Sequence, residues 1–105
     1  MADKVIALVC SAAMSSSLVA QKMQKAADAA GKNYQVYSRS IDDVDNLLRA
    51  DQKPNIILVS PQVRFRLAEV SAKGATAGVP VDIIAPQNYA MYPDRILAEA
   101  EKKMS

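Results

Sequence analysis

Residues 5–18 read VIALVCSAAMSSSL, and this stretch decides the fold class. Its first five residues are apolar and mostly β-branched, which is typical of a strand covered on both faces. The strand ends at Cys10, and small and hydroxylated residues follow it at once. From about Ser16 the apolar spacing becomes helical, because one face collects Val19, Met23, Ala26, Ala27 and Ala30. A strand that passes through a short loop into a helix is the first unit of an alternating α/β fold.

The same alternation continues along the chain. Further strands are predicted at residues 34–38, 56–59 and 81–85, and apolar spacing predicts helices at residues 41–48, 63–70 and 96–104. Loops are predicted at residues 74–78 and 85–93. Gly31 is predicted to cap the C-terminus of the first helix, and Ser40 and Asp94 are predicted to cap the N-termini of later helices. Apolar strands joined by helical crossovers predict a three-layer α/β sandwich, in which a four-stranded parallel sheet has helices on both faces.

The composition restricts the class of protein. Half of the 105 residues are hydrophobic, so residues 1–105 are expected to form a single compact domain. A net charge of +2, without a run of lysine or arginine, argues against nucleic acid as a partner. One cysteine cannot form an internal disulfide, so a reducing, cytoplasmic setting is expected. Because the chain has no histidine, it is not expected to hold a zinc cluster or a Ser-His or Cys-His catalytic pair, and we predict no metal and no organic cofactor.

The N-terminal segment has one misleading feature. Residues 5–14 are as apolar as the centre of a signal peptide, and Cys10 could pass for a lipid-attachment cysteine. However, Asp3 and Lys4 leave almost no positive leader, and cleavage before Cys10 would leave an implausibly short signal. No segment reaches the length of a membrane span, so a soluble protein is expected.

Three of the predicted strands end in loops that begin at Cys10, Ser60 and Ala85. In a parallel sheet such ends meet at one edge, where ligand sites form. The loop after Cys10 directs backbone amides and the positive end of a helix toward one point, which suits an anion. The same donors stabilise a thiolate, so the pKa of Cys10 is expected to fall and its sulfur to accept and keep a phosphoryl group. The alternative is a buried structural cysteine followed by serines that only cap a helix.

The loop after Cys10 also resembles the phosphate loop of cysteine-based phosphotyrosine phosphatases, which has a cysteine, five residues and then an arginine. Here the sixth residue after the cysteine is Ser16, so the guanidinium clamp on the phosphoryl oxygens is missing. A low-molecular-weight phosphatase is therefore disfavoured. A thiol-switch binding module is a third alternative, but the chain offers no resolving cysteine.

These residues resemble the IIB components of the bacterial phosphoenolpyruvate-dependent sugar phosphotransferase system, in its lactose/cellobiose (chitobiose) branch. Residues 10–18, CSAAMSSSL, look like the family's C-S-A-G-M-S-T-S-L. Residues 60–63, SPQV, look like its G-P-Q-I, and Tyr89 stands in the loop after the fourth predicted strand. The resemblance covers essentially the whole chain.

The resemblance implies a cytoplasmic phosphoryl carrier. Cys10 would take phosphate from a phosphohistidine on the IIA partner and pass it to a sugar, a β-linked disaccharide, that the membrane-bound IIC partner imports. Pro61, Gln62 and Tyr89 would frame the entrance to the site. The phosphate-binding residues that the resemblance implies are Ser11, Ala12, Ala13, Met14, Ser15, Ser16 and Ser17.

The chain departs from the family pattern at two glycines, which are Ala13 and Ala90 here. Alanine would cost about 1 kcal/mol at a position that needs a positive φ, and we expect an ordinary conformation at Ala13. Arg64 and Arg66 are predicted to lie on a solvated helix face. The acidic cluster, which is Asp42, Asp43 and Asp45, is predicted to form the start of a helix.

Overall fold

The computed structural model describes residues 3–11, 13–51, 53–89 and 91–104, with only the backbone for residues 13–15. Strands and helices alternate through this part of the chain. The strands are β1 (Lys4–Cys10), β2 (Tyr34–Ser40), β3 (Ile56–Val59) and β4 (Val81–Ile83). The helices are α1 (Ala13–Ala29), α2 (Val44–Arg49), α3 (Leu67–Ala77), α4 (Pro86–Tyr89) and α5 (Pro93–Met104), with 3-10 turns at Ile41–Asp43 and Pro61–Arg66.

As predicted, the four strands form one parallel sheet, and their order in it is β2-β1-β3-β4. The central strand β1 pairs with β2 on one side and with β3 on the other, where Val9 is opposite Val59. The chain therefore builds outward from β1 in one direction through β2, and then in the opposite direction through β3 and β4. Such a reversal opens a crevice beyond the carboxyl ends of the two strands that flank it, here β1 and β3.

The core lies on both faces of the sheet, and this confirms the three-layer sandwich. Alternate residues of β1 point to opposite faces, so Ile6 and Leu8 pack against α1 and α5, while Ala7 and Val9 pack against α2 and α3. The strand β3 is buried at every position for the same reason. Both central strands are thus apolar because neither face meets water.

Two of the predicted caps are confirmed. Gly31, with a φ of 72°, follows the last turn of α1. Ser40 accepts a hydrogen bond on its side chain from the backbone amide of Asp42 at 3.3 Å, which caps the 3-10 turn that leads into α2.

The loop predicted at residues 74–78 is wrong, because α3 runs through it to Ala77. Gly74 is a buried helical residue, and the helix ends at Gly78, which has a φ of 76°. A Cβ at Gly74 would stand 2.5 Å from Val81 Cγ2 and 2.6 Å from the carbonyl oxygen of Val79. Glycine is therefore at position 74 to let the helix approach β4 closely, not to form a turn.

The segment at residues 85–93 also contains more structure than predicted. It includes the single turn α4, and α5 begins at Pro93, so Asp94 lies inside the first helical turn and is not the cap. Proline suits the first helical position because its missing amide would have no partner there.

The acidic cluster is structural, as predicted. Arg66 Nη1 donates to Asp42 at 2.8 Å, and Lys73 Nζ lies 3.2 Å from an oxygen of Asp45. Across the described ranges, no three metal-ligating side chains come together. Nor is any helix in that part of the chain both long and apolar enough to cross a membrane.

Candidate active site

Cys10 is the last residue of β1, and its side chain is buried. The next residue, Ser11, is exposed, and its hydroxyl lies 4.0 Å from the Cys10 sulfur. The sulfur thus lies directly beneath the surface at the carboxyl edge of the sheet, where the sequence placed it.

Ser60 occupies the matching position at the end of β3. Its amide donates to the carbonyl oxygen of Val9 at 3.0 Å, continuing the ladder in which Val9 is paired with Val59. This register sets Ser60 beside Cys10 across the crevice between β1 and β3. The Ser60 side chain is also fully buried.

Tyr89 brings the third predicted loop to the same place. It ends α4 and is half-buried, and its phenolic oxygen accepts a hydrogen bond from Ser60 Oγ at 3.5 Å. Burial raises the pKa of Tyr89; the Ser60 hydroxyl lowers it, and the charge and hydrogen bonding of Cys10 raise it further. Side chains from three separate segments therefore meet: Cys10, Ser60 and Tyr89.

The stretch after Cys10 becomes helical earlier than the predicted phosphate loop implies. The helix α1 begins at Ala13, so Ser15, Ser16 and Ser17 belong to its first turns. The first four amides of a helix have no partner within that helix, so they can serve an anion without an extended loop. Phosphate binding by these residues remains a prediction.

The residues after Cys10 differ in burial, and their described backbone is unstrained. Ser16 is fully buried and Ser17 is half-buried. Ala13 is helical, and none of the described residues other than glycine has a positive φ, so the alanine there carries no backbone strain. Ala12 and Ala90 lie outside the described residues, as do the side chains of Ala13, Met14 and Ser15.

The remaining predicted entrance residues lie just beyond Ser60. Pro61 is buried at the start of the 3-10 turn, whereas Gln62 is exposed. Arg64 is exposed and donates to the carbonyl oxygen of Pro61 at 3.1 Å, while Arg66 is held by its ion pairs with Asp42 and Glu69. The structure thus places Pro61 and Gln62 at the correct edge and assigns Arg66 a structural role.

Sequence reasoning placed the loop that begins at Ser60 at the ligand edge of the sheet but did not name Ser60 itself as a site residue. One signal could have identified it. Ser60 directly follows a strand that is apolar throughout, and in a parallel sheet the residue at that point lies beside the end of the neighbouring strand.

A cavity of about 260 Å³ lies elsewhere, between β4, α4 and α5. Its charged lining residues are Asp82 and Glu99, and Cys10, Ser60 and Tyr89 do not line it. Two carboxylates in its lining disfavour the binding of a phosphoryl group in this cavity.

Comparison with known proteins identifies the family. The sequence model described as "PTS system, Lactose/Cellobiose specific IIB subunit" matches residues 5–99. The chain is 49% identical, over the full length of both proteins, to a galactose-specific EIIB component of Lactococcus lactis subsp. cremoris and to a cellobiose-specific EIIB component of Lactococcus lactis subsp. lactis. It is 28% identical to an oligo-beta-mannoside-specific EIIB component of Bacillus subtilis, over 84% of this chain and 82% of that protein.

Solved structures agree with the fold. A cellobiose-specific IIB component of Borrelia burgdorferi superposes with a TM-score of 0.77 at 25% identity, covering 96% of this chain and 91% of its own. The lactose-specific IIB domain of Streptococcus pneumoniae superposes with a TM-score of 0.82, covering 97% and 98% of the two chains; at 15% identity it supports the fold alone.

The fold and these relatives define a small α/β component of a phosphotransferase system. The chain belongs to the lactose/cellobiose-specific IIB subunits, and the resemblance found in its sequence is confirmed. It is therefore a phosphotransferase component that carries phosphate toward a sugar, within a system that also has IIA and IIC partners.

Proposed function

We propose that Cys10 is the residue that carries the phosphoryl group. One observation carries the assignment: the chain's only cysteine ends the central strand at the sheet reversal, three residues before the start of α1. The first amides of α1 have no carbonyl partner within the helix, and these amides and the positive end of the helix dipole suit phosphoryl oxygens. The residues proposed to donate these contacts are Ser11, Ala12, Ala13, Met14, Ser15, Ser16 and Ser17.

The reaction is two in-line displacements at phosphorus. In the first, the Cys10 thiolate attacks a phosphohistidine of the IIA partner; an S–P bond forms, the N–P bond breaks, and the imidazole nitrogen keeps the electron pair. In the second, a sugar hydroxyl at the IIC partner attacks; an O–P bond forms, its proton leaves to solvent or a base of that partner, and the electron pair returns to sulfur. This chain contributes position and anion stabilisation and, having no histidine, depends on the partner for the donor.

The partners must approach the carboxyl edge of the sheet, because Cys10 is buried beneath it. Large exposed apolar side chains lie on the segments that form this edge: Phe65 is 80% exposed, Met91 74% and Leu18 58%. A contiguous patch of exposed apolar side chains is typical of a docking surface, and we propose that these side chains contribute to one. We assign Pro61, Gln62 and Tyr89 to the entrance and place IIA over it, with Phe65 and Met91 as apolar contacts.

The sugar is selected elsewhere in the system. Two relatives that are equally similar to this chain are described as galactose-specific and cellobiose-specific. Sequence identity to these relatives therefore does not show which sugar the system imports. We propose a β-linked disaccharide that is selected by IIC. We also propose that residues 1–105 act as one domain on the cytoplasmic side, where a single reduced cysteine is stable.

Intact-mass spectrometry tests the assignment. The protein is mixed at neutral pH with phosphoenolpyruvate and the upstream carrier proteins, including IIA, without a sugar acceptor. We expect an adduct of about 80 Da on the wild type and none on Cys10→Ser. Ser71→Ala, a serine substitution on α3 away from the site, should retain the adduct.

Two results would contradict the assignment of Cys10. If IIA is phosphorylated and the wild-type chain stays unmodified, or if Cys10→Ser carries the same adduct, then Cys10 is not the phosphoryl carrier. Turnover of an aryl phosphate by the chain alone would favour the phosphatase alternative, which the missing arginine disfavours.

The docking assignment has its own test. Phe65→Ser is expected to slow phosphorylation by IIA severalfold at low IIA concentration and to leave the melting temperature nearly unchanged, because an exposed side chain stabilises the monomer little. Lys53→Ser, an exposed residue at the opposite edge of the sheet, is the matched control. Equal rates for both variants at every IIA concentration would remove Phe65 from the interface.

A further inference from the structure

The hydrogen bond between Ser60 and Tyr89 has a function beyond holding the loops together. We propose that Ser60 is a positioning residue, which donates its proton to the Tyr89 hydroxyl and thereby directs the single O–H proton of Tyr89 toward the Cys10 sulfur. This inference rests on the proposed role of Cys10 as the phosphoryl carrier. It adds a side-chain donor to the thiolate, distinct from the backbone amides of α1.

Ser60 is held firmly enough to act in this way. Its amide donates to Val9 at 3.0 Å, its carbonyl oxygen accepts from the amide of Val63 at 3.0 Å, and its hydroxyl reaches Tyr89 at 3.5 Å. The side chain is fully buried, so a hydrogen-bond partner for its hydroxyl is required. The backbone of Ser60 is thus held by the sheet on one side and the 3-10 turn on the other, and its hydroxyl lies within hydrogen-bond reach of Tyr89.

The direction of the two hydrogen bonds follows from the chemistry of a phenol. A tyrosine hydroxyl has one proton and can also accept. When Ser60 donates to the phenolic oxygen, the tyrosine proton remains available for a second partner, and Cys10 is the neighbouring acceptor. Tyr89 is also hydrogen-bonded to Cys10, which raises the pKa of the phenol, whereas the Ser60 hydroxyl lowers it.

Charged groups on the adjoining elements have other partners. Arg39, on β2, stacks 4.4 Å above the ring of Tyr37 and donates to the carbonyl oxygen of Ser38. Arg64, after β3, donates to the carbonyl oxygen of Pro61. We therefore expect neither guanidinium to replace Tyr89 in stabilising the thiolate, so the effect of removing the Tyr89 hydroxyl can be measured.

The arrangement acts at both steps of the proposed phosphoryl transfer. In this chain Tyr89 thus has a fixed proton direction, which stabilises sulfur as a thiolate before phosphorylation and again when the S–P bond breaks.

The test is a thermodynamic cycle on the pKa of the thiol. The full-length protein is labelled with ¹³C at the cysteine Cβ, which gives a single resonance because the chain has one cysteine, and is titrated from about pH 4 to pH 10. No reagent needs to reach the buried sulfur. The wild type is compared with Ser60→Ala, Tyr89→Phe and the double variant.

We expect Tyr89→Phe to lower the thiolate fraction at a pH below the thiol pKa about tenfold, because a charge-assisted hydrogen bond is lost. Ser60→Ala should lower it about threefold, since the tyrosine remains but is no longer directed. In the Tyr89→Phe background, Ser60→Ala should have no further effect. Ser60→Gly, which also removes the hydroxyl and adds no atoms, should match Ser60→Ala and replaces it if that variant does not fold.

Tyr92→Phe and Ser71→Ala are the matched controls and should leave the thiol titration unchanged. The inference is overturned if Ser60→Ala shifts the titration equally with and without Tyr89, if neither Ser60 variant shifts it, or if the wild-type thiol stays protonated throughout. Because the titration needs no IIA, these results are independent of whether a phosphoryl adduct forms on Cys10.

Discussion

The substitution Gly74→Ala separates helix propensity from packing, because the two effects change the free energy of unfolding in opposite directions. Gly74 is in the interior of α3, where alanine alone would stabilise the helix by about 1 kcal/mol. However, the new Cβ would stand 2.5 Å from Val81 Cγ2 and 2.6 Å from the oxygen of Val79. Carbon contacts are favourable only from about 3.5 Å, so both neighbours must move by about 1 Å.

The Val79 contact decides the magnitude. Its carbonyl is backbone and cannot rotate away like a side chain, and the amide of the same residue donates to the Gly74 oxygen at 2.8 Å. Overpacking of this kind costs about 1–3 kcal/mol, and we take the upper end. After subtracting the helix gain, the free energy of unfolding should fall by about 2 kcal/mol. For a domain of this size, the melting temperature should fall by about 8–16 °C.

Thermal and urea unfolding, followed by circular dichroism, measure the effect. Ala75→Gly, at the exposed neighbouring position of α3, calibrates the helix term and should cost about 1 kcal/mol. If Gly74→Ala is instead more stable than the wild type, by about the amount that Ala75→Gly loses, then α3 and β4 leave room for a methyl group and the packing argument is wrong.

Two further predictions concern pH. Hydrogen bonding to Lys32 and to Tyr34, whose hydroxyl donates at 2.8 Å, lowers the pKa of Glu101, so its stabilising effect is present above the ordinary carboxyl range and is lost as the pH falls through the folded pKa. The melting temperatures of the wild type and Glu101→Gln should therefore differ at pH 7 and converge toward pH 3; a constant difference would contradict this. Burial raises the pKa of Tyr37, so its neutral form is favoured in the native state and that stabilisation is lost as the pH rises above about 10. Tyr37→Phe should make alkaline unfolding less steep, and identical unfolding curves above that pH would exclude the effect.

Much of the fold was predictable because its two central strands are buried on both faces. The apolar runs that end at Cys10 and at Val59 cannot be surface strands, and helical spacing between them allows only crossover connections. Cys10 and Tyr89 could be placed at one edge for the same reason, since the strand ends of a parallel sheet converge.

The errors concern residues whose role is set by a distant neighbour. Gly74 looks like a loop residue in the sequence, and only the proximity of Val81 and Val79 shows that it is a contact point within a helix. In the sequence, Ser60 looks like a residue that only ends a strand. Its position beside β1 and its hydrogen bond to Tyr89 show that its hydroxyl belongs to the site. Local spacing does not contain such contacts between distant parts of the chain.

The short strand β4 also protects the protein against self-association. It is only three residues long, and it covers one side of β3, whose sequence Ile56–Val59 is entirely apolar. If β4 were displaced, β3 would become an exposed edge with free amides and carbonyls, ready to pair with the same segment of another molecule. A substitution that pushes α3 away from β4 would therefore be expected to promote aggregation at temperatures well below that of global unfolding.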